Sequence, residues 1–153
     1  MANTYTQIYI HIVFAVKYRL SLIDNKFKDE LYKYITGIVK NKGQKLIAIN
    51  GMPDHLHLLF GMKPEIALSG LIRDVKSNSS KFINDKKLTQ RKFEWQDGFG
   101  AFSYSHSQID SVVKYIQNQE EHHKKMSFKD EYIELLKKFD VVYNETYIFK
   151  DLL

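Results

Sequence analysis

The run GMPDHLHLLFGM, residues 51–62, holds two histidines one residue apart in an otherwise apolar stretch. On a strand, residues i and i+2 share a face, so His55 and His57 point the same way with Cα atoms about 7 Å apart. Two imidazoles so placed can converge on one divalent metal, each supplying a nitrogen. An isolated His-X-His also has a plainer reading, with one ring at a turn and the other in solvent. Known histidine chemistries narrow the choice by spacing. A histidine-triad nucleotide hydrolase would need a third alternate histidine where Leu59 stands, and two-histidine phosphoesterases need Ser or Thr two residues after each histidine. The sequence has no HExxH zinc motif.

A second group of chemically useful residues is KYIQNQ, 114–119. Tyr115 and Gln119 stand one helical turn apart on one face, at the border of an inward stripe made by Ile109, Val113 and Ile116. A tyrosine there can keep its ring packed while its hydroxyl reaches a substrate. Taken alone, Tyr-xxx-Gln marks packing far more often than catalysis. His122 and His123 lie in the charged run EEHHKK and are expected to be exposed near a helix C-terminus, where cations are favoured. His11 sits on the semi-polar face of the first strand and reads as a partly buried structural residue.

These groups need elements to hold them. Residues 5–17 alternate Ile8, Ile10, Ile12, Phe14 and Val16 with Gln7, Tyr9, His11 and Val13, predicting a strand with one apolar face. Asp24 is a plausible N-cap for a helix over 25–42 that ends near Gly43. Strands 45–52 and 55–62 form an antiparallel hairpin about Gly51, Pro53 and Asp54, and in the second strand Leu56, Leu58 and Phe60 take the face opposite the histidines. A helix over 65–84 and a strand over 99–105 follow. Ser107 and Asp110 resemble a capping box opening a helix to about 125. One more helix over 128–139 and a short β-prone end complete the chain. The order β-α-β-β-α-β-α predicts an α+β fold, an antiparallel β-sheet with helices packed on one face, ferredoxin-like or RRM-like in outline.

At 153 residues the chain fits a single domain with its own core, with 126–153 as a C-terminal extension. A composition of 44% hydrophobic and 14% aromatic residues excludes a disordered class. The absence of cysteine excludes disulfides, thiolate metal sites and a cysteine nucleophile, and fits a cytoplasmic protein. No apolar run is long enough to span a bilayer. Net charge is +5, and residues 63–92 alone carry eight Lys or Arg against three Asp or Glu. Such a window is either a solvated helix face or a surface for a polyanion.

Together, the His-Leu-His strand and the YIQNQ helix some 60 residues later resemble the HUH single-tyrosine transposases of the insertion-sequence 200/605 group. The stretches HIVFAVKYR (11–19), LIRDVKSNSS (71–80) and WQDGFGAFSYS (95–105) carry the same resemblance, which runs from about residue 5 to 123. It implies a transposase acting on single-stranded DNA with hairpins, through a 5′-phosphotyrosine intermediate and without ATP. It implies Tyr115 as nucleophile and His55, His57 and Gln119 as ligands of a divalent metal, Mg2+ or Mn2+. Gln117, about 200° round the helix from Tyr115, points elsewhere. The resemblance also implies a homodimer. Lys17, Arg19, Arg73, Lys76, Lys81, Arg91 and Lys92 form the expected DNA surface, and Trp95, Phe99 and Phe102 either stack bases or pack. Other readings are a domesticated relative that binds or nicks host repeats, a replication or relaxase-type HUH nuclease, and a non-catalytic RRM-like module.

Overall fold

The computed structural model describes residues 3–148. Its sheet has four strands, β1 (Tyr9–Ala15), β2 (Lys45–Met52), β3 (His55–Gly61) and β4 (Gly100–Tyr104), in the order β2-β3-β1-β4. All three pairings are antiparallel. The register sets Ala15 and Met52 opposite His55, and Val13 and Asn50 opposite His57, so the histidine strand is central and paired on both sides.

Strand alternation gives the sheet two different faces. Ile12, Phe14, Leu56, Leu58 and Phe60 pack beneath α1 (Lys28–Asn41) and α2 (Leu68–Asp85), which contribute Leu31, Ile35, Val39, Leu71, Ile72, Val75 and Ile83. Each of these larger side chains contributes roughly 1.5–3 kcal/mol on burial. The antiparallel α+β class is as the sequence predicts, but helices cover both faces rather than one. The second face is half-apolar, with Val13, Ala15, Leu59 and Phe102 beside His11, His55 and His57. It is covered by α3 (Ile109–Gln117), α4 (Gln119–His122) and α5 (Phe128–Lys138) through Val112, Ile116, Phe128, Leu135 and Leu136. A period-two strand shows which residues share a face, but not that an amphipathic tail will return to cover it.

Several boundaries differ from expectation for local reasons. β1 begins at Tyr9, and Asp24 caps a turn ahead of α1, its Oδ1 accepting from the Lys26 N–H at 2.8 Å. The capping box lies two residues early, between Ser105 and Gln108, and opens a 3₁₀ turn before α3. The β-prone end forms no strand among the described residues. Val141 and Val142 are irregular and exposed, and α6 (Glu145–Ile148) is a single helical turn; Phe149 lies outside the described residues. Gly51 is required at the hairpin, because a Cβ there would sit 2.1 Å from the carbonyl oxygen of His55. No helix among the described residues is long and apolar enough to cross a membrane.

Candidate metal centre and nucleophile

β3 delivers His55 and His57 to the second face, where both are fully buried. Burying two imidazoles is costly unless their nitrogens find partners. His55 Nδ1 lies 2.7 Å from Asp54 Oδ1, and His57 Nδ1 lies 2.8 Å from His11 Nε2. A ring whose Nδ1–H is held by a carboxylate presents its Nε2 lone pair outward, as metal-ligating histidines do. His11 is thus fully buried and in contact with the site rather than partly buried, and its own Nδ1 has no hydrogen-bond partner.

Tyr115 and Gln119 reach the same point from the helical layer. The expected single helix is broken at Asn118, whose φ of −96° and ψ of 25° end α3 and begin α4. The cause lies in the sheet: the Asn50 side-chain amide donates to the carbonyls of Ile116 and Gln117 at 2.9 and 3.2 Å. Gln117 is exposed, whereas Gln119 is fully buried with its Oε1 3.1 Å from His55 Nε2. The Tyr115 ring packs edge-on against His57 with centroids 5.6 Å apart. All of these groups belong to one chain.

Two further residues complete the cluster, and both stood outside the expected set. α5 inserts Glu131, 1% exposed, so that its Oε1 lies 3.4, 3.1 and 3.1 Å from the Nε2 atoms of His55, His57 and His123. Its Oε2 accepts from the Tyr115 hydroxyl and, at 3.2 Å, from the Gln119 amide. His123 was expected to be exposed but its side chain is only 7% exposed, with Nε2 3.0 Å from Gln119 Oε1. His122, also expected outside, is half-buried against Tyr115, and its Nε2 lies 3.2 Å from Glu131 Oε2. The donor atoms of His55, His57, His123 and Glu131 lie within 4.8 Å of one another, a fit for a divalent metal.

Burial and charge act against each other here. Burial lowers the His57 pKa to about 4 despite Glu131, so the ring is neutral at pH 7. For His55 burial acts downward too, but the bonds to Asp54 and Glu131 outweigh it and the pKa is raised. Burial would raise Glu131, yet His123, His55 and His57 hold it well below the ordinary carboxylate range. Burial, then the Glu131 charge, push the Tyr115 phenol well above its ordinary value. A cleft of about 420 Å³ opens beside this pair, lined by Tyr104, Gln108, Ser111, Tyr115, Glu131 and Lys138.

The expected cations do not gather at this cleft. Arg73, Lys76 and Lys81 are carried by α2, on the opposite face of the sheet. Lys76 is turned inward, its Nζ donating to the carbonyls of Gln96 and Gly98, both at 2.6 Å. Lys81 pairs with Asp85, Lys17 pairs with Glu94 at 3.2 Å, and Lys92 lies 3.7 Å from the same carboxylate. Lys17 and Arg19 form a 3₁₀ turn just beyond β1, at the end of the sheet nearest His55, and Arg91 is exposed. Trp95 and Phe102 are buried in the two cores and Phe99 packs against the first, so these rings pack.

The fold has counterparts. A family model described as "Transposase IS200 like" matches residues 4–119. The chain is 25% identical over 118 residues to the ISDra2 transposase TnpA of Deinococcus radiodurans, an alignment covering 74% of this chain and 84% of that protein. Among solved structures, a protein described as a transposase from Deinococcus radiodurans R1 superposes with a TM-score of 0.64 at 22% identity, over 78% of this chain and 95% of its own. The REP-associated tyrosine transposase bound to a REP hairpin superposes with a TM-score of 0.62 at 13% identity, over 100% of this chain and 93% of its own. With its HxH strand, its tyrosine helix and most of its length within that match, the chain belongs to the IS200-like transposase family.

Proposed function

We propose that this transposase cleaves and rejoins single-stranded DNA beside hairpins, using Tyr115 as nucleophile and a divalent metal, Mg2+ or Mn2+, held by His55, His57 and Gln119. The observation that carries the reading is convergence. A tyrosine hydroxyl at a cleft and three side chains able to ligate a metal, from strand β3 and the broken α3–α4 helix, meet within one chain.

The metal, when bound, supplies Lewis-acid polarisation of the scissile phosphate. The rest falls to the chain. Asp54 and His11 orient the two histidines, and Asn50 sets the helix break that turns Gln119 inward. Tyr115 is aimed by its bond to Glu131 Oε2, and its hydroxyl proton passes in the attack to the departing O3′. Attack of the Tyr115 oxygen on phosphorus breaks the P–O3′ bond, giving a 5′-phosphotyrosine and a free 3′-hydroxyl. Because the phosphodiester energy is conserved, rejoining by another 3′-hydroxyl needs no ATP. Hairpin DNA as the bound form is supported by the REP hairpin in the structural neighbour. A homodimer, implied by the resemblance, and a cytoplasmic location, expected from the absence of cysteine, are part of the proposal, although the catalytic groups already meet in cis.

The test is incubation of the full chain with hairpin-bearing single-stranded DNA from its own genomic flanks, with Mg2+ or Mn2+, resolved on a denaturing gel. Wild type is expected to give a covalent adduct, and Tyr115→Phe to retain hairpin binding and give none. An adduct at wild-type level in Tyr115→Phe refutes the nucleophile. His55→Ala and His57→Ala are expected to abolish metal-dependent cleavage, and cleavage persisting in EDTA refutes the metal role.

A further inference from the structure

Resting on the metal reading above, we infer that His123 and Glu131 are metal ligands too, and that with α5 seated the site holds a zinc-class ion in preference to Mg2+. Neither residue lies in the region matched by the family model, which ends at residue 119. They belong to this chain's own C-terminal part.

The inference comes from where the ring protons must be. A backbone carbonyl only accepts, so the 2.7 Å contact from His123 Nδ1 to the Met126 carbonyl oxygen places the proton on Nδ1. The contact from His55 Nδ1 to Asp54 Oδ1, also 2.7 Å, fixes that ring in the same way. With Nδ1 held by its own partner, each ring turns its Nε2 into the cluster. Each faces further acceptors: His123 Nε2 lies 3.1 Å from Glu131 Oε1 and 3.0 Å from Gln119 Oε1, and His55 Nε2 lies 3.4 and 3.1 Å from the same two oxygens. Nitrogens and oxygens gathered this closely in a buried site need positive charge between them, supplied by ring protons or by a metal ion that displaces them.

The spacing suits such a cation. Donors about 2.0–2.1 Å from a tetrahedral metal stand about 3.3 Å apart. The three imidazole nitrogens lie 3.1–3.4 Å from Glu131 Oε1, and all four donor atoms lie within 4.8 Å of one another, a gap that a bound ion would close. Three imidazoles and a carboxylate, with the Gln119 carbonyl beside them, favour Zn2+ and related nitrogen-binding transition ions over Mg2+, which prefers an octahedron rich in oxygen. Asp54, His11 and the Met126 carbonyl complete the site as partners of the three Nδ1 atoms.

The experiment uses the full chain, stripped of metal, with the ions alone. In the Co2+-loaded protein, proton NMR is expected to show three exchangeable, hyperfine-shifted imidazole N–H signals, those of His55, His57 and His123. Two signals overturn the assignment of His123. None overturns the proposed histidine site itself, a failure that is distinct from the first. In competition against a chromophoric chelator, Zn2+ is expected to bind at least about a hundredfold more tightly than Mg2+, and Glu131→Gln to weaken Zn2+ by about tenfold or more. Glu131→Gln keeps the shape of the side chain and its acceptor for Tyr115. Unchanged Zn2+ affinity in that variant removes Glu131 from the shell, and equal Zn2+ and Mg2+ affinities refute the ion preference.

Discussion

Tyr115 is paired with a group that keeps it protonated. Ionising the phenol would set a second negative charge against the Glu131 carboxylate in a buried pocket, and burial alone already disfavours that charge. Glu131→Gln removes the repulsion and leaves the burial. In metal-free protein the Tyr115 titration is therefore expected to move down, yet stay above the ordinary value of about 10. Tyrosine Cζ NMR, assigned with Tyr115→Phe, reads this directly, and an unmoved titration would show that burial alone holds the phenol. The histidine pair and the Tyr115–Gln119 turn were visible in the sequence because each follows the period of its own element. Glu131 was hidden because a glutamate on an amphipathic helix ordinarily faces solvent, as the neighbouring Asp130 and Glu134 lead one to expect. It had one legible mark: with Phe128 and Leu135 it occupies positions i, i+3 and i+7 on the buried stripe of α5, where a carboxylate needs partners. His123 had another, standing four residues beyond Gln119 as Gln119 stands beyond Tyr115.

The elements that present these side chains were read unevenly, and the difference follows the range of the forces that shape them. β2 and β3 were legible nearly to the residue, since alternation and the turn at Gly51 are local. The break between α3 and α4 was not, because its cause, Asn50, is 66 residues from Ile116 in sequence. That long-range contact is testable. Asn50→Ala removes both donations to the helix carbonyls and is expected to cost about 1–2 kcal/mol in urea denaturation. It is also expected to weaken metal binding, because Gln119 and His123 both follow the break. A variant that loses stability while binding metal as wild type does would show that the break is set within the helix.

Over the whole molecule, the sheet separates two jobs. One face carries the proposed chemistry, and the other carries the hydrophobic core and most of the basic window, so net charge alone says little about where DNA lies. Lys76 shows why. In sequence it was one cation among seven candidates, but it is half-buried over the Phe14 ring and holds the Gln96 and Gly98 carbonyls, and burial lowers its pKa. Arg73 and Arg91 are exposed. Neutralising an exposed cation that contacts phosphate removes one released counterion, so Arg73→Gln and Arg91→Gln are each expected to reduce the slope of log K against log salt for hairpin binding by about 1. Their thermal stability is expected to stay at the wild-type level. Lys76→Met is expected to behave in the opposite way, leaving two carbonyls without their donor and losing roughly 1–3 kcal/mol of stability while the salt slope holds. Salt titrations of hairpin binding, run beside urea denaturation of the three variants, separate the cases. A full unit of slope lost in Lys76→Met with unchanged stability would place that amine on DNA and the loop carbonyls in water.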